Sequence, residues 1–311
     1  MTLTPDRRSL LAGAAAVGAS AALPGLASGA EAAGKIRTKP IPHGGEQLPI
    51  VGIGTAIIFD FENDPAKYAE RKGVIETLTT GGKCVIDTAP SYGRAEARLG
   101  ELLTDLKAHD KVFLATKVPA QASVADKEAS LKGSQERLKT KKFDLMQAWN
   151  VSDPNLDLGQ LREWKAQGHC RYWGITSSFD AAYPALVQVL KREKPDFFQI
   201  NYSLGDRDAE AVLLPTAQEV GAAVLTNLPF GRNSLFAKVK DRPLPDWAKE
   251  IDATSWAQVF LKFLVSHPAV TAVIPGTDKP AYMVDNLGAG RGRLPDAAMR
   301  KRIVDFWSTL A

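Results

Sequence analysis

The sequence predicts an α/β protein in which residues 33–311 fold as a closed (β/α)8 TIM barrel, with an N-terminal hairpin and extra C-terminal helices. Eight short apolar segments each lead into a segment with the apolar spacing of an amphipathic helix. Continuous apolar strands that alternate with helices are typical of parallel strands covered on both faces. Eight such units in about 260 residues have the size of a closed barrel.

An open, doubly wound sheet is the alternative to the barrel. Its first strand–helix junction would carry a G-x-G-x-x-G turn for a dinucleotide phosphate. Here Gly52-Ile53-Gly54-Thr55 runs into a long loop, and no helical pattern begins there. The sequence therefore favours the barrel.

The elements of this barrel can be assigned in chain order. Residues 35–49 are predicted to form the hairpin, because His43-Gly44-Gly45 supplies its turn. The predicted strands cover residues 51–56, 84–89, 112–118, 143–151, 172–177, 197–202, 222–228 and 270–275. Helical patterns cover residues 67–80, 95–107, 124–139, 158–167, 182–194, 210–220 and 255–267, and then 281–287 and 296–310. The segment 230–252 is predicted to be a long loop, serving as a lid or as a simple connector.

Composition and charge are those of a globular protein, with 45% hydrophobic and 24% charged residues. The 39 basic and 35 acidic residues are scattered and leave a net charge of +4. No basic stripe with interleaved aromatic residues is present, so nucleic acid is not an expected partner. The two cysteines, Cys84 and Cys170, precede strands that are not neighbours, and the four histidines form no cluster. The sequence therefore predicts neither a metal site nor a disulfide.

The N-terminus has the features of a twin-arginine export signal. Arg7-Arg8 precedes a moderately apolar run rich in Ala and Gly, and small residues lead up to Ala32. We expect residues 1–32 to be recognised by the twin-arginine translocation machinery and cleaved near Ala32, which predicts a periplasmic protein. Pro24 and several glycines interrupt the run, so no stable membrane anchor is expected. This route carries folded proteins and suits an enzyme that binds its cofactor before export.

The C-terminal ends of the predicted strands carry polar side chains, and in a barrel this end forms the active site. Asp87 ends one apolar strand, Tyr92 follows five residues later on a turn, and Lys117 ends the next strand. An ammonium beside a carboxylate and a phenol favours release of the phenol proton, which can then reach a carbonyl oxygen as hydride arrives at carbon. The alternatives are that Asp87 caps a turn, that Tyr92 is an ordinary half-buried aromatic, and that Lys117 extends into water. The other strand ends carry Thr55, Trp149-Asn150, Thr176-Ser177, Gln199 to Asn201, Asn227 and the loop after Pro275.

Six segments between residues 52 and 307 resemble the aldo-keto reductase family in order and spacing. They read VIDTAPSYGRAEARLG, LATKV, DLMQ, WGITSS, QINYS and IPGTDKPAYMVDNLGA. The resemblance implies a (β/α)8 barrel that binds NADP(H), or less often NAD(H), without a separate dinucleotide-binding domain. It also implies a small-molecule substrate, namely a carbonyl compound or the matching alcohol.

The same resemblance implies roles for individual residues. Tyr92 would be the proton donor, Lys117 would promote its ionisation and Asp87 would pair with Lys117. Gln199, with Thr176 or Ser177, would hold the nicotinamide carboxamide. The residues expected around the adenosine and its phosphate are Gly276, Thr277, Lys279, Asp285 and Asn286.

The sequence departs from the family at the fourth catalytic position. The family has a histidine in a pattern like DLxQxH, whereas this chain has Trp149 there. An alignment shifted by one residue would place Asn150 at the position instead. An indole donates one hydrogen bond and does not act as an acid or base near neutral pH. Trp149 is therefore expected either to replace the donor in part or to crowd the carbonyl pocket.

Two further departures concern the cofactor. Asn227 stands where the family commonly stacks an aromatic ring on the nicotinamide, and Phe230 lies nearby. Tyr282 stands near the place of an arginine found in NADPH-selective members, which leaves Lys279 as the nearest cation. One flexible lysine does not match a bidentate arginine on a phosphate. The sequence leaves NADP(H) and NAD(H) both open.

These features support two hypotheses of different classes. The first is an NAD(P)H-dependent oxidoreductase that reduces an aldehyde or ketone, or oxidises the matching alcohol, with Tyr92 as the acid. The second is a nicotinamide-binding, redox-sensing protein on the same fold that has lost turnover through Trp149. The short chain after Asn286 predicts an open pocket with little discrimination. The sequence predicts neither the substrate nor the oligomeric state.

Overall fold

The computed structural model of the chain describes residues 34–310. The predicted export signal, residues 1–32 with Arg7-Arg8 and the cleavage site near Ala32, lies outside the described residues. Within residues 34–310, no helix is long and apolar enough to span a bilayer.

An antiparallel hairpin opens the described chain, and eight parallel strands alternate with helices after it. The strands are β1 (Thr38–Pro40), β2 (Gln47–Pro49), β3 (Ile53–Gly54), β4 (Cys84–Asp87), β5 (Val112–Pro119), β6 (Phe143–Trp149), β7 (Cys170–Ser177), β8 (Phe197–Asn201), β9 (Ala223–Asn227) and β10 (Val270–Val273). The helices are α1 (Pro65–Thr80), α2 (Ala95–Asp105), α3 (Val124–Arg137), α4 (Gly159–Gln167), α5 (Tyr183–Glu193), α6 (Leu213–Glu219), α7 (Ser234–Lys238), α8 (Trp256–Val265), α9 (Pro280–Gly288) and α10 (Ala297–Thr309).

The eight strands from β3 to β10 pair in sequence order and close on themselves. Each strand is parallel to its neighbour in the chain. Parallel bridges from Val51 to Val273 and from Gly54 to Gly276 join the first strand to the last. The predicted closed barrel, its hairpin and its C-terminal helices are confirmed.

The predicted boundaries differ most from the structure in two places, and elsewhere by up to three residues at an end. The predicted strand 51–56 forms a ladder only at Ile53–Gly54, because the chain turns into a loop at Thr55. The segment 230–252, predicted as a loop, contains α7 and a 3-10 helix over Asp246–Ile251. These turns form because Leu235 and Trp247 are buried against the outside of the barrel. Cys84 and Cys170 are free, buried thiols.

The barrel interior is apolar at one end and polar at the other. Ile41 and Leu48 of the hairpin pack into the N-terminal end. Above them lie the rings of Phe113, Tyr172 and Phe197, whose centroids are 5.5 to 5.9 Å apart. Since alternate residues of a strand face the same side, the next inward positions toward the C-terminal ends are Asp87, Lys117, Gln147 and Gln199. The apolar layers therefore support a layer of polar side chains at the mouth.

Candidate active site

Asp87 and Lys117 form a buried ion pair at the mouth of the barrel. The Lys117 Nζ atom lies 2.7 Å from each Asp87 carboxylate oxygen and 2.8 Å from the Thr88 carbonyl oxygen. Asp87 is 2% exposed and Lys117 is 3% exposed. Adjacent strands place the two residues here, since each lies at or near the C-terminal end of an inward-facing row. Both charges are therefore held out of water and paired with each other.

Tyr92 lies on the turn between β4 and α2, next to this pair. The Lys117 Nζ atom is 5.1 Å from the centroid of the half-buried Tyr92 ring. Burial by itself disfavours the ammonium, but the Asp87 carboxylate and the Tyr92 hydroxyl outweigh it and raise the pKa of Lys117. The lysine therefore remains a cation beside the phenol. The structure brings Asp87, Tyr92 and Lys117 together, as the sequence predicted.

A row of side-chain amides extends this site across the barrel. The Gln147 Nε2 atom donates to Gln199 Oε1 at 2.5 Å, and Gln199 Nε2 donates to Asn227 Oδ1 at 2.6 Å. Longer contacts of 3.5 and 3.3 Å run from Gln147 and Gln199 to the Asp87 carboxylate. Gln199 thus uses both the oxygen and the nitrogen of its side-chain amide within the protein. The residue predicted to hold the nicotinamide carboxamide is therefore hydrogen-bonded to Asn227.

Gln147 is a site residue that the sequence analysis did not single out. It is fully buried, yet its Oε1 atom has no hydrogen-bond partner within residues 34–310. A signal was available, because Leu145, Gln147 and Trp149 alternate along β6 and share the inward direction. Gln147 lies between Leu145, which packs inside the barrel, and Trp149 at the mouth. A polar residue at such an inward position indicates the polar layer.

Trp149 ends β6 and is half-exposed at the mouth. It pairs in register with Pro119 on one side and Thr176 on the other. Asn150, which the shifted alignment would use, follows the strand in a left-handed conformation with φ of 59°. The alternation along β6 favours Trp149 over Asn150 as the residue at the mouth.

The ends of β7 and β8 contribute a second group of polar atoms. Thr176 and Ser177 are buried, and the Ser177 hydroxyl accepts a hydrogen bond from Phe179 N at 3.4 Å. Asn201 Nδ2 donates to the Ser178 carbonyl at 3.1 Å. The Asn201 Oδ1 atom therefore points away from Ser178. Asn201 is a further residue whose role the sequence did not assign.

Two buried acceptors at inward-facing strand positions lack a partner among the described residues, and they test whether a nicotinamide fits. They are Gln147 Oε1 and Asn201 Oδ1. Buried acceptors normally find a donor, so these atoms call for a ligand or water that brings N–H or O–H groups. A carboxamide carries two N–H groups and one acceptor, and it therefore suits this lining.

The loop after β10 forms the second predicted part of the site. Asn286 Nδ2 donates to Thr277 Oγ1 at 3.0 Å, and Thr277 Oγ1 donates to the Pro275 carbonyl at 3.2 Å. A Cβ atom at Gly276 would meet only ordinary contacts, the nearest being Ile58 Cδ1 at 3.7 Å. Packing within the protein therefore does not require a glycine at position 276. A glycine there leaves space for a ligand to approach the backbone closely.

The remaining predicted cofactor residues make contacts within the protein. The Asp285 carboxylate accepts hydrogen bonds from Ser255 Oγ and Gln258 Nε2, both at 2.7 Å. The Lys279 Nζ atom lies 5.7 Å from the centroid of the exposed Tyr282 ring. Phe230 packs against Phe236 at 4.9 Å on the outer core and so does not replace the missing aromatic at Asn227.

The two parts of the site lie at the same end of the barrel. Gly54 bridges to Gly276 on one side and is in register with Asp87 on the other. The single strand β3 therefore separates the loop after β10, which contains Gly276, from the Asp87–Lys117 ion pair. An extended ligand that contacts both would cross the β3 end of the mouth.

Comparison with known proteins gives one family. Residues 51–303 match the model of the Aldo/keto reductase family. The chain is similar to methylglyoxal reductase YeaE of Escherichia coli (strain K12), with 31% identity over 256 residues that cover 76% of this chain and 84% of that protein. It is also similar to aldo-keto reductase str7 of Strobilurus tenacellus, with 27% identity over 274 residues that cover 75% and 80%.

Solved structures share the fold. An aldo/keto reductase from Klebsiella pneumoniae in complex with NADP and acetate superposes with a TM-score of 0.70 at 23% identity, covering 85% of this chain and 93% of that one. A second structure from Klebsiella pneumoniae, in complex with NADPH, gives a TM-score of 0.71 at 23% identity and covers 88% and 95%.

Proposed function

The chain belongs to the aldo/keto reductase family, and from this premise we propose that it is an oxidoreductase that reduces an aldehyde or ketone with NADPH, or oxidises the matching alcohol. The observation that carries the proposal is the buried Asp87–Lys117 pair beside Tyr92. Lys117 lies 2.7 Å from both Asp87 oxygens and keeps its positive charge. A cation fixed beside a phenol stabilises the phenolate that remains once the proton has left.

The residues of this chain divide the proton chemistry among them. Tyr92 donates its hydroxyl proton to the carbonyl oxygen, and Lys117 stabilises the resulting phenolate. Asp87 holds Lys117 in place and offsets its charge in a buried site. The bound nicotinamide supplies the hydride. For alcohol oxidation, the same phenolate accepts the proton.

Trp149 limits the efficiency of this reaction. Its indole N–H can donate one hydrogen bond to the carbonyl oxygen, but it cannot deliver a proton. Loss of one well-placed donor at a developing negative charge typically costs about 10²–10³ in rate. The proposed enzyme is therefore slower than a relative with an imidazole at this position.

For the cofactor, we propose NADP(H) ahead of NAD(H). The structural neighbours from Klebsiella pneumoniae contain NADP and NADPH. In this chain, Thr176, Ser177, Gln199 and Asn227 would hold the nicotinamide end. The adenosine and its phosphates would lie near Gly276, Thr277, Lys279, Asp285 and Asn286.

The second candidate function is a nicotinamide-binding redox sensor with little turnover. One observation favours it: the Gln199 amide is already engaged by Gln147 and Asn227, at 2.5 and 2.6 Å. A carboxamide that displaced either contact would rearrange the row that reaches Asp87. Cofactor binding would then change the site without requiring a second substrate.

One experiment separates the two candidates. The mature protein is purified, titrated with NADPH and with NADH by fluorescence, and mixed with a panel of aldehydes that includes methylglyoxal. Consumption of NADPH supports the reductase, whereas binding without consumption supports the sensor. Failure to bind NADPH or NADH would contradict both. Tyr92→Phe is the control, since it should bind NADPH normally and lose about 10²–10⁴ in rate.

We also propose that the protein is exported to the periplasm by the twin-arginine route. The support is Arg7-Arg8 ahead of an Ala- and Gly-rich run that ends in small residues near Ala32. Replacing both arginines by lysine should leave the full-length chain in the cytoplasmic fraction. Release of a processed chain from the double variant into the periplasm would contradict the proposal.

A further inference from the structure

The loop between β3 and α1 is anchored beside the turn that carries Tyr92. Phe59 and Phe61 of this loop are 0% and 5% exposed, so both rings are fixed in the core. Asp60 lies between them and is exposed. Because its two neighbours are buried, Asp60 has little freedom to move, and its side chain projects from a fixed point of the backbone.

The Asp60 carboxylate contacts the end of the Tyr92 turn. Its Oδ1 atom accepts a hydrogen bond from the Arg94 backbone N–H at 3.0 Å. Arg94 is the N-cap residue of α2, and its own side chain makes no capping hydrogen bond. The first amides of a helix have no intrahelical acceptor, and a carboxylate there also meets the positive end of the helix dipole. Asp60 therefore caps α2 from another part of the chain.

Gly93 fits the same contact by its lack of a side chain. Its φ is 59°, in the left-handed region, and a Cβ atom there would overlap the Asp60 carboxyl group. The glycine thus serves two needs: it makes the turn after Tyr92, and it leaves room for Asp60 to reach the Arg94 amide. Gly93 therefore helps to fix the position of the β3–α1 loop relative to the turn that carries Tyr92.

Further contacts tie the same loop to α2 and to the ion pair. Arg98 Nε donates to the Phe61 carbonyl at 3.1 Å. At the start of the loop, Thr55 N donates to the Asp87 carbonyl at 3.0 Å. One loop therefore contacts the Asp87 backbone at its start and the end of the Tyr92 turn at Asp60.

We propose that Asp60 is a positioning residue that fixes the Tyr92 turn against Lys117. This inference rests on the proposed function, in which Tyr92 donates the proton. In the described part of the chain, the backbone hydrogen bonds of Tyr92 lie within its turn, from its N–H to Ala89 O and from Ala95 N–H to its carbonyl, both at 3.1 Å. Its half-buried ring packs against the core and lies beside Lys117. The hydrogen bond from Arg94 to Asp60 adds a constraint on the backbone of the turn.

The test compares three variants of the full mature protein. Asp60→Ala removes the acceptor, and Asp60→Asn keeps an amide oxygen that can still accept from Arg94. Glu62→Ala is the matched control, since it removes the same charge from the same loop and breaks only the exposed Arg94–Glu62 ion pair at 2.6 Å. The readouts are kcat and KM for an aldehyde, NADPH affinity, and hydrogen exchange of the segment 92–97.

We expect Asp60→Ala to lower kcat about tenfold, because a small misplacement of a reacting group lowers the rate steeply. Its KM and NADPH affinity should stay within about twofold. Exchange in the segment 92–97 should speed up in this variant only. Asp60→Asn and Glu62→Ala should behave like the wild type.

Equal losses of kcat in Asp60→Ala and Glu62→Ala, or a loss of NADPH affinity that matches the loss of kcat, would overturn the inference. A wild-type protein that binds NADPH but reduces no aldehyde would defeat the proposed function alone, and the exchange data would still decide the role of Asp60. Unchanged exchange in Asp60→Ala then contradicts it, and faster exchange supports it. If Asp60→Ala does not fold, Asp60→Leu removes the acceptor with a side chain of greater volume and is read in the same way.

Discussion

Gln147 and Gln199 are joined by a 2.5 Å hydrogen bond in the interior of the barrel, from Nε2 of the first to Oε1 of the second. Both side chains are fully buried. This bond fixes which end of the Gln199 amide faces Asn227 and Asp87, because the oxygen is already taken. The orientation of one buried glutamine thereby depends on another from a strand two positions away in the barrel.

Gln147→Leu should lower the free energy of unfolding by about 1–3 kcal/mol, because Gln199 Oε1 would be left buried without a donor. Urea denaturation of the two proteins measures the difference. Gln121→Leu is the control, since Gln121 is exposed and makes only two hydrogen bonds of 3.3 Å. An equal loss in both variants would indicate that the buried Gln147–Gln199 hydrogen bond contributes no more to the free energy of unfolding than an exposed one.

Lys117→Met should abolish carbonyl reduction and lower the free energy of unfolding by about 3–5 kcal/mol, since it leaves the Asp87 carboxylate buried and unpaired. The double variant with Asp87→Asn removes that charge and should recover part of the stability but none of the activity. Urea denaturation and NADPH consumption measure the two effects separately. A single variant that unfolds like the wild type would count against a buried charged pair.

Trp149→His should raise the rate of aldehyde reduction, by up to about 10²–10³, because an imidazole is smaller than an indole and, when protonated, donates a stronger, charge-assisted hydrogen bond to the developing oxyanion. Trp149→Phe is the control, since it removes the indole N–H and introduces no other hydrogen-bond donor. The rates are measured at saturating NADPH after cofactor binding has been checked by fluorescence. An unchanged rate in the histidine variant, with cofactor binding preserved, would show that position 149 does not face the carbonyl.

Stability should fall as the pH is lowered from about 6.5 toward 4, through His267. Burial, with a contribution from Arg300, lowers the pKa of His267 to about 4. Its Nδ1 atom accepts a hydrogen bond from Ala269 N at 3.2 Å, which requires the neutral ring. Between the two pKa values, the unfolded chain binds the proton and the folded protein does not, so acid favours unfolding.

The size of this effect is about 1–2 kcal/mol, since the ring is partly exposed and solvent screens it. His267→Asn keeps an acceptor for the Ala269 amide and does not titrate. Urea denaturation at pH 7 and pH 4.5 should therefore show a smaller pH-dependent loss in the variant than in the wild type. Equal losses would assign the acid sensitivity to other groups.

Local sequence patterns predicted most of the barrel, because a buried strand needs a continuous apolar run. The predicted strands at 84, 112 and 143 begin where β4, β5 and β6 begin. The short β3 was predicted too long, since Val51, two residues before it, joins the barrel only through a single bridge. The helices α2, α5 and α8 were predicted to within two residues at each end, because each has an apolar stripe.

The site was predictable only where a residue stands at a strand end. Asp87, Tyr92 and Lys117 follow apolar runs, and the structure brings them together. Gln147 was missed because its importance comes from its neighbours on two other strands. Asp60 was missed because its partner, the Arg94 amide, lies 34 residues further along the chain. A contact such as the one between Asp60 and the Arg94 amide leaves no local pattern in the sequence.

The hairpin packed into the N-terminal end of the barrel has a kinetic consequence. Ile41 and Leu48 close that end, so the polar layer can be reached only from the C-terminal side. A ligand bound at the floor of a single entrance is covered by a ligand that binds above it. The ligand that binds deeper must enter first and leave last, and steady-state kinetics should therefore follow a compulsory order of binding and release.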